Sequence, residues 1–215
     1  MPSVVIPSGA VRLEGGLELP ALPAHPRGVV AFSHGSGSGR NSPRNRFVAG
    51  ELRKAGVGTL LLDLLTAEED RDREMRFDIS LLSARLADAV HFLAAHAATR
   101  ALPVGLFGAS TGAASALRVA AAMPQVVKAV VSRGGRPDLA GDKALERVQA
   151  PTLLIVGGED SGVIELNERA RDALAHCTRE LVLVAGATHL FEEPGTLEVV
   201  AQRAAAWFAR YLASP

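Results

Sequence analysis

Leu106-Phe107-Gly108-Ala109-Ser110-Thr111-Gly112-Ala113-Ala114 joins the end of an apolar run to the start of an Ala-rich segment. The stretch has the pattern Gly-x-Ser-x-Gly. The run before it reads as a strand, and residues 110–122, stopped before Pro124, read as a helix. So sharp a turn from strand to helix forces strained backbone angles on the serine. A glycine on either side lets the two elements approach without colliding side chains. The Ser110 hydroxyl is therefore expected to stand clear at the carboxyl end of a sheet, above a helix N-terminus.

Similar apolar runs occur at 28–33, 58–62, 102–107, 126–131, 152–156 and 180–184. They predict strands buried on both faces, as in a parallel sheet. Residues 3–6 and 10–19, with turn signals at Pro7-Ser8-Gly9, predict an antiparallel hairpin. Helical stretches alternate with the later strands: 44–55, 79–97, 110–122, 164–175 and 196–212. The second has apolar residues at 79, 82, 86, 89, 90 and 93, a helical spacing. Trp207 and Tyr211 are expected to face the core from the last helix. Glu68-Glu69-Asp70-Arg71-Asp72-Arg73-Glu74 mixes both charge signs and reads as a solvated loop. The order predicts an α/β fold in one domain over residues 1–215: a mostly parallel sheet of seven or eight strands between helices, led by the hairpin.

A serine hydroxyl is a poor nucleophile until a base takes its proton, and the base needs an orienting acid. Two later strands end in suitable residues. Gly157-Gly158-Glu159-Asp160 follows one, and Gly186-Ala187-Thr188-His189 follows the last. Parallel strands all end at one edge, so both loops arrive beside Ser110. Asp160 is taken as the acid, with Glu159 as its neighbouring rival, and His189 as the base. His25, His34, His91, His96 and His176 lack that combination of chain order and strand end.

A tetrahedral acyl intermediate also needs N–H donors aimed at its oxyanion. The candidates are the amides of Thr111 and of Ser36, with Gly37 close behind, in Ser33-His34-Gly35-Ser36-Gly37-Ser38-Gly39. Neither the phosphate-cradling nor the dinucleotide-binding glycine pattern is matched there. Arg133 follows the 126–131 strand. It either binds a substrate carboxylate or forms an ion pair with Asp138 or Asp63. Arg40, Arg44 and Arg46 are expected to be solvated or to fix the loop they sit on.

Together these segments resemble the dienelactone-hydrolase-like branch of the α/β-hydrolase superfamily, along nearly the whole chain. Ser42-Pro43-Arg44-Asn45-Arg46 and Ser132-Arg133-Gly134-Gly135-Arg136-Pro137 resemble a bacterial subgroup sometimes fused to a phosphoribosyltransferase domain, and no such domain lies within these residues. The resemblance implies an α/β-hydrolase fold and a hydrolase that needs no cofactor or metal. Dienelactone hydrolases proper use a cysteine nucleophile, whereas Ser110 stands here, so a serine esterase with an acyl-enzyme is expected. Residues 132–150 are too few for a bulky cap domain, which implies an open site and accessible, short acyl groups.

Composition bounds the alternatives. Of 215 residues, 48% are hydrophobic and 21% charged, and 23 basic side chains balance 23 acidic ones. That balance suggests neither nucleic acid nor an anionic membrane as partner. The single cysteine, Cys177, excludes an internal disulfide and reads as a passive, half-buried thiol. No apolar run reaches the about 18 residues of a membrane span, and the N-terminus does not read as a signal peptide. A cytoplasmic monomer or homodimer acting on a small-molecule ester is expected. An acyltransferase or thioesterase with the same residues, or a binding protein on a hydrolase scaffold, are the alternatives.

Overall fold

The computed structural model describes residues 2–21 and 25–212; residues 1 and 215, the limits of the expected domain, lie outside the described residues. Eight strands form the sheet. β1 (Ser3–Ser8) and β2 (Val11–Glu18) are the antiparallel hairpin. β3 (Val29–Ser33), β4 (Gly58–Leu62), β5 (Val104–Ala109), β6 (Val127–Arg133), β7 (Thr152–Gly157) and β8 (Arg179–Val184) run parallel. Their spatial order is β1-β2-β4-β3-β5-β6-β7-β8.

The apolar runs form strands because both faces are covered. On one face α1 (Pro43–Lys54) and α7 (Thr196–Tyr211) pack on Val30, Phe32, Phe107, Ala129 and Val131. On the other lie α3 (Ile79–Ala95), α4 (Thr111–Ala122) and α6 (Ser161–Ala173), against Val29, Ala31, Leu106 and Val130. Alternate residues of one strand thus enter different cores, as a period of two requires. Trp207 is buried in the first core, and its indole N–H donates to the Pro151 carbonyl at 3.2 Å.

Two sequence expectations are corrected. β8 is not buried on both faces: it is the sheet edge, where only Val184 is buried and Leu183 is exposed. Among the described residues no strand lies beyond it, and the helices on either face leave most of its side chains at least partly exposed. The charged stretch 68–74 is not a plain loop either. Glu69–Arg71 form a 3-10 turn and α2 (Arg73–Phe77) follows. Glu69 accepts from the buried Arg85 at 2.8 Å, and Arg76 contacts both carboxylate oxygens of Asp70. Ion pairs with residues some distance along the chain hold these acids in place.

Between β6 and β7 the chain forms only a 3-10 turn (Pro137–Ala140) and the four-residue α5 (Asp142–Leu145). No cap domain covers the carboxyl edge of the sheet there.

β3 and α4 meet most tightly at Gly112. A Cβ there would lie 2.2 Å from the Ser33 carbonyl oxygen and 2.5 Å from that of His34. Gly112→Ala is therefore expected to lower stability by about 1–3 kcal/mol. Gly162→Ala, in α6, adds a methyl that meets nothing within 4 Å and is expected to raise stability by about 0.4–1 kcal/mol. Chemical denaturation of both variants checks the pair, and equal shifts would refute the close-approach explanation.

Candidate active site

Ser110 stands between β5 and α4 at φ 51° and ψ −123°. Phe191 is the other described non-glycine residue at positive φ. The geometry is held by backbone bonds: the Ser110 amide donates to Arg133 O at 3.1 Å, and the Arg136 amide donates to Ser110 O at 3.0 Å. Gly108 and Gly112 are both required. A Cβ on Gly108 would meet the Ala113 Cα at 2.4 Å. Behind the turn the Ser33 and Ser115 hydroxyls lie 2.6 Å apart, tying β3 to α4.

Asp160 follows β7 and does not cap α6 with its side chain. Its Oδ2 lies 2.6 Å from Nδ1 of His189 in the loop after β8. Asp160, not Glu159, is thus the carboxylate on this histidine. Such a contact assigns the proton to Nδ1 and leaves Nε2 free to act as base. A Cβ on Gly134 would stand 3.5 Å from the His189 ring, so the ring lies against the residue that follows Arg133, whose carbonyl receives the Ser110 amide. Among the described residues, no hydrogen bond joins His189 to the Ser110 hydroxyl. The structure therefore joins His189 to Asp160 and leaves the Ser110 hydroxyl unengaged by the ring. Catalytic hydrogen bonds are often long before substrate binds.

The His189 loop has a clamp that sequence reasoning missed. Glu193 accepts from the Thr188 amide at 3.1 Å and from its hydroxyl at 2.6 Å. The Thr188 hydroxyl bond leads the causes that hold the Glu193 pKa below the ordinary carboxylate value. Thr188 and Glu193 share one short loop, and that spacing was the only available signal.

The oxyanion candidates lie together. The Ser36 amide donates to the Thr111 hydroxyl at 2.9 Å, so it is near the Thr111 amide but already occupied. The Thr111 amide, first of α4, donates to no described backbone acceptor. Gly37 sits at φ 69°, a left-handed turn that suits glycine. A Cβ on Gly35 would lie 3.0 Å from that of Ser110, so the loop presses directly on the serine.

Arg133 does not form either expected ion pair. Arg136 binds Asp138 through two contacts, of 2.9 and 2.7 Å, and Arg40 holds Asp63 through its amide and its guanidinium. Both carboxylates are thus engaged elsewhere. Arg40 also pairs with Glu14, so it fixes the loop after β3 to the hairpin. Arg44 pairs with Glu192 at 3.0 Å. Among the described residues no three His, Cys, Asp or Glu side chains form a metal site, and no helix is long and apolar enough to cross a membrane.

A family model described as the dienelactone hydrolase family matches residues 46–213. Two Mycobacterium tuberculosis proteins, provisionally named as phosphoribosyl transferases, are each 58% identical over 214 residues, 99% of this chain. The match covers 47% of each of them, so the chain spans about half the length of these curated relatives. Among solved structures, a dienelactone hydrolase from Anabaena variabilis is 53% identical, with a TM-score of 0.93 over 98% of this chain and 97% of its own. Est1E from Butyrivibrio proteoclasticus, 16% identical, has a TM-score of 0.83 over 99% of each chain, a likeness of fold.

His34 ties the glycine loop after β3 to the chain after β4. Its Nε2 accepts from the Leu64 amide at 3.0 Å, so Nδ1 carries the proton and donates to Gly35 O at 3.0 Å. Burial lowers its pKa, because the imidazolium is poorly solvated there and could not accept the Leu64 bond. As pH falls, the unfolded chain takes up the proton first. The His34 contribution is present above the unfolded value, about 6.5, and is lost below it. His34→Gln keeps an acceptor but does not titrate. Between about pH 7 and about pH 5 the wild type is expected to lose more stability than this variant, by at most about 1.4 kcal/mol per pH unit. Urea denaturation across that range measures the difference, and parallel curves would contradict it.

Proposed function

Because the chain belongs to the dienelactone hydrolase family and is an α/β-hydrolase, we propose that it cleaves carboxylic esters or closely related acyl bonds, with Ser110 as nucleophile. The observation that carries this reading is the 2.6 Å contact of His189 with Asp160, taken with a serine at positive φ on the strand–helix turn.

The steps follow from the geometry. The Ser110 Oγ attacks the acyl carbonyl carbon while His189 Nε2 takes its proton. Asp160 holds the opposite ring nitrogen and stabilises the imidazolium that forms. The carbonyl oxygen becomes an oxyanion facing the Thr111 amide and, once the Thr111 hydroxyl turns aside, the Ser36 amide. Collapse expels the alcohol, which receives the proton from His189, and leaves an acyl group on Ser110. Water activated by His189 then releases the acid. His189 must close on Ser110 for this sequence, a movement that substrate binding can complete.

A serine in place of the thiol of dienelactone hydrolases proper favours ordinary esters over the lactone. With no cap between β6 and β7, short and accessible acyl groups fit best. The transferase name of the Mycobacterium relatives belongs to proteins about twice as long, and this reading assigns it no part here. A cytoplasmic location and a small-molecule ester partner belong to the same proposal.

Nitrophenyl esters of rising acyl length test it. The wild type is expected to hydrolyse short esters fastest, without interfacial activation. Ser110→Ala and His189→Ala should each lose on the order of 10⁴- to 10⁶-fold in kcat while remaining folded by circular dichroism. A fluorophosphonate should label the wild type at Ser110. Turnover by Ser110→Ala within about tenfold of wild type, set against that expected loss, would remove the serine reading.

A further inference from the structure

Arg133 closes β6 on the same face as Ala129 and Val131, the face covered by α1 and α7. It is 7% exposed, and its Nε and Nη1 are buried with no partner among the described residues. The neighbouring charge is another cation, Arg44, in the first turn of α1. Arg44 Nε is likewise buried and unpartnered, and its Nη1 donates to Glu192 at 3.0 Å. Asn45, on the same turn, is buried with a free Oδ1. Burial and the Arg44 charge together bring the Arg133 pKa down to about 10.

A buried guanidinium close to another guanidinium, with no carboxylate on it among the described residues, is a costly arrangement. A bound anion offsets that cost. The N-terminus of the twelve-residue α1 adds its own attraction for negative charge. The place is next to the reacting atoms: the Arg133 carbonyl receives the Ser110 amide at 3.1 Å, and the following residue, Gly134, lies against the His189 ring.

We propose that Arg133 and Arg44 hold a phosphoryl group carried by the substrate, so that the ester cleaved at Ser110 belongs to a phosphorylated molecule. A phosphoryl group fits better than a carboxylate for two reasons. Its three terminal oxygens can meet donors from two guanidiniums on different elements, and its double charge matches the two cations once the exposed Glu192 carboxylate gives up Arg44. Glu192 is the group that it displaces from Arg44. The placement beside the reacting bond rests on Ser110 being the nucleophile; the binding does not.

The test uses inorganic phosphate and acetate as probes on the whole chain. Phosphate should raise the Tm of the wild type and of Ser110→Ala in a concentration-dependent way. It should also inhibit nitrophenyl butyrate hydrolysis competitively. In Arg133→Met and in Arg44→Ala, whose side chain is partly exposed, phosphate binding should weaken by about ten- to hundredfold. Arg133→Lys should recover part of it. Without phosphate, Arg133→Met should melt no lower than wild type, because an unpaired buried charge has been removed. Several results overturn the proposal: acetate acting as strongly as phosphate, phosphate binding without competing with the ester, binding unchanged in both arginine variants, or no response to either anion. If no ester is cleaved but phosphate binding still depends on Arg133 and Arg44, the hydrolase reading fails and the anion site stands.

Discussion

The approach of the Ser33 and His34 carbonyls to Gly112 is the contact on which the site depends. With β3 and α4 this close, a side chain at residue 112 is excluded and the helix must begin directly after Ser110. Room for an ordinary strand-to-helix turn does not exist, so Ser110 takes φ 51° and its hydroxyl is turned out of the sheet. The same closeness presses Gly35 on Ser110 and brings the Ser36 amide to Thr111. One backbone contact thus sets both Ser110 and the amides beside it. Strain of this kind persists only where neighbouring structure over-determines it, and here hydrogen bonds from residues 133 and 136 do so.

The loops around the serine are held largely by polar pairs. Asp63 binds Arg40, His34 links Gly35 to Leu64, and Glu193 clamps Thr188. Each ties a loop at the carboxyl edge to a neighbouring loop or to its own stem. Open sites without a covering domain need this, since loops at a sheet edge have few apolar contacts of their own. Arg133 is the exception. It is buried much as His34 is and has no counter-charge among the described residues, although Asp138 and Asp63 both looked available along the chain. Arg136 and Arg40 bind them instead.

Most of the fold was legible in the sequence because hydrophobic runs and helical spacing report burial directly. The eight strands and five longer helices fall within a few residues of the expected limits. β8 was misjudged because an apolar run reports side-chain character, not how far the flanking helices extend over the edge of the sheet. The segment 68–74 was misjudged because Arg85, which holds Glu69, is sixteen residues away in the chain. For the candidate site, chain order and strand ends were enough to bring His189, Asp160 and Ser110 to one edge. They could not say that the histidine would bind the acid while leaving the serine unengaged, since a side-chain torsion decides that. Nor could they show the Thr111 hydroxyl on the Ser36 amide, a contact between residues far apart in sequence.

That last contact bears on how such a site would tell a substrate from a transition state. At rest the Ser36 amide already has a partner, so a neutral ester oxygen arriving there exchanges one neutral hydrogen bond for another and gains little. An oxygen that has acquired negative charge forms a bond roughly twice as strong and can displace the hydroxyl with net gain. The hydroxyl would then act as a built-in competitor whose displacement cancels the gain from a neutral oxygen and leaves a net gain only for a charged one. Selectivity for the charged species then requires no additional donor, only one that is already occupied by a rival of intermediate strength.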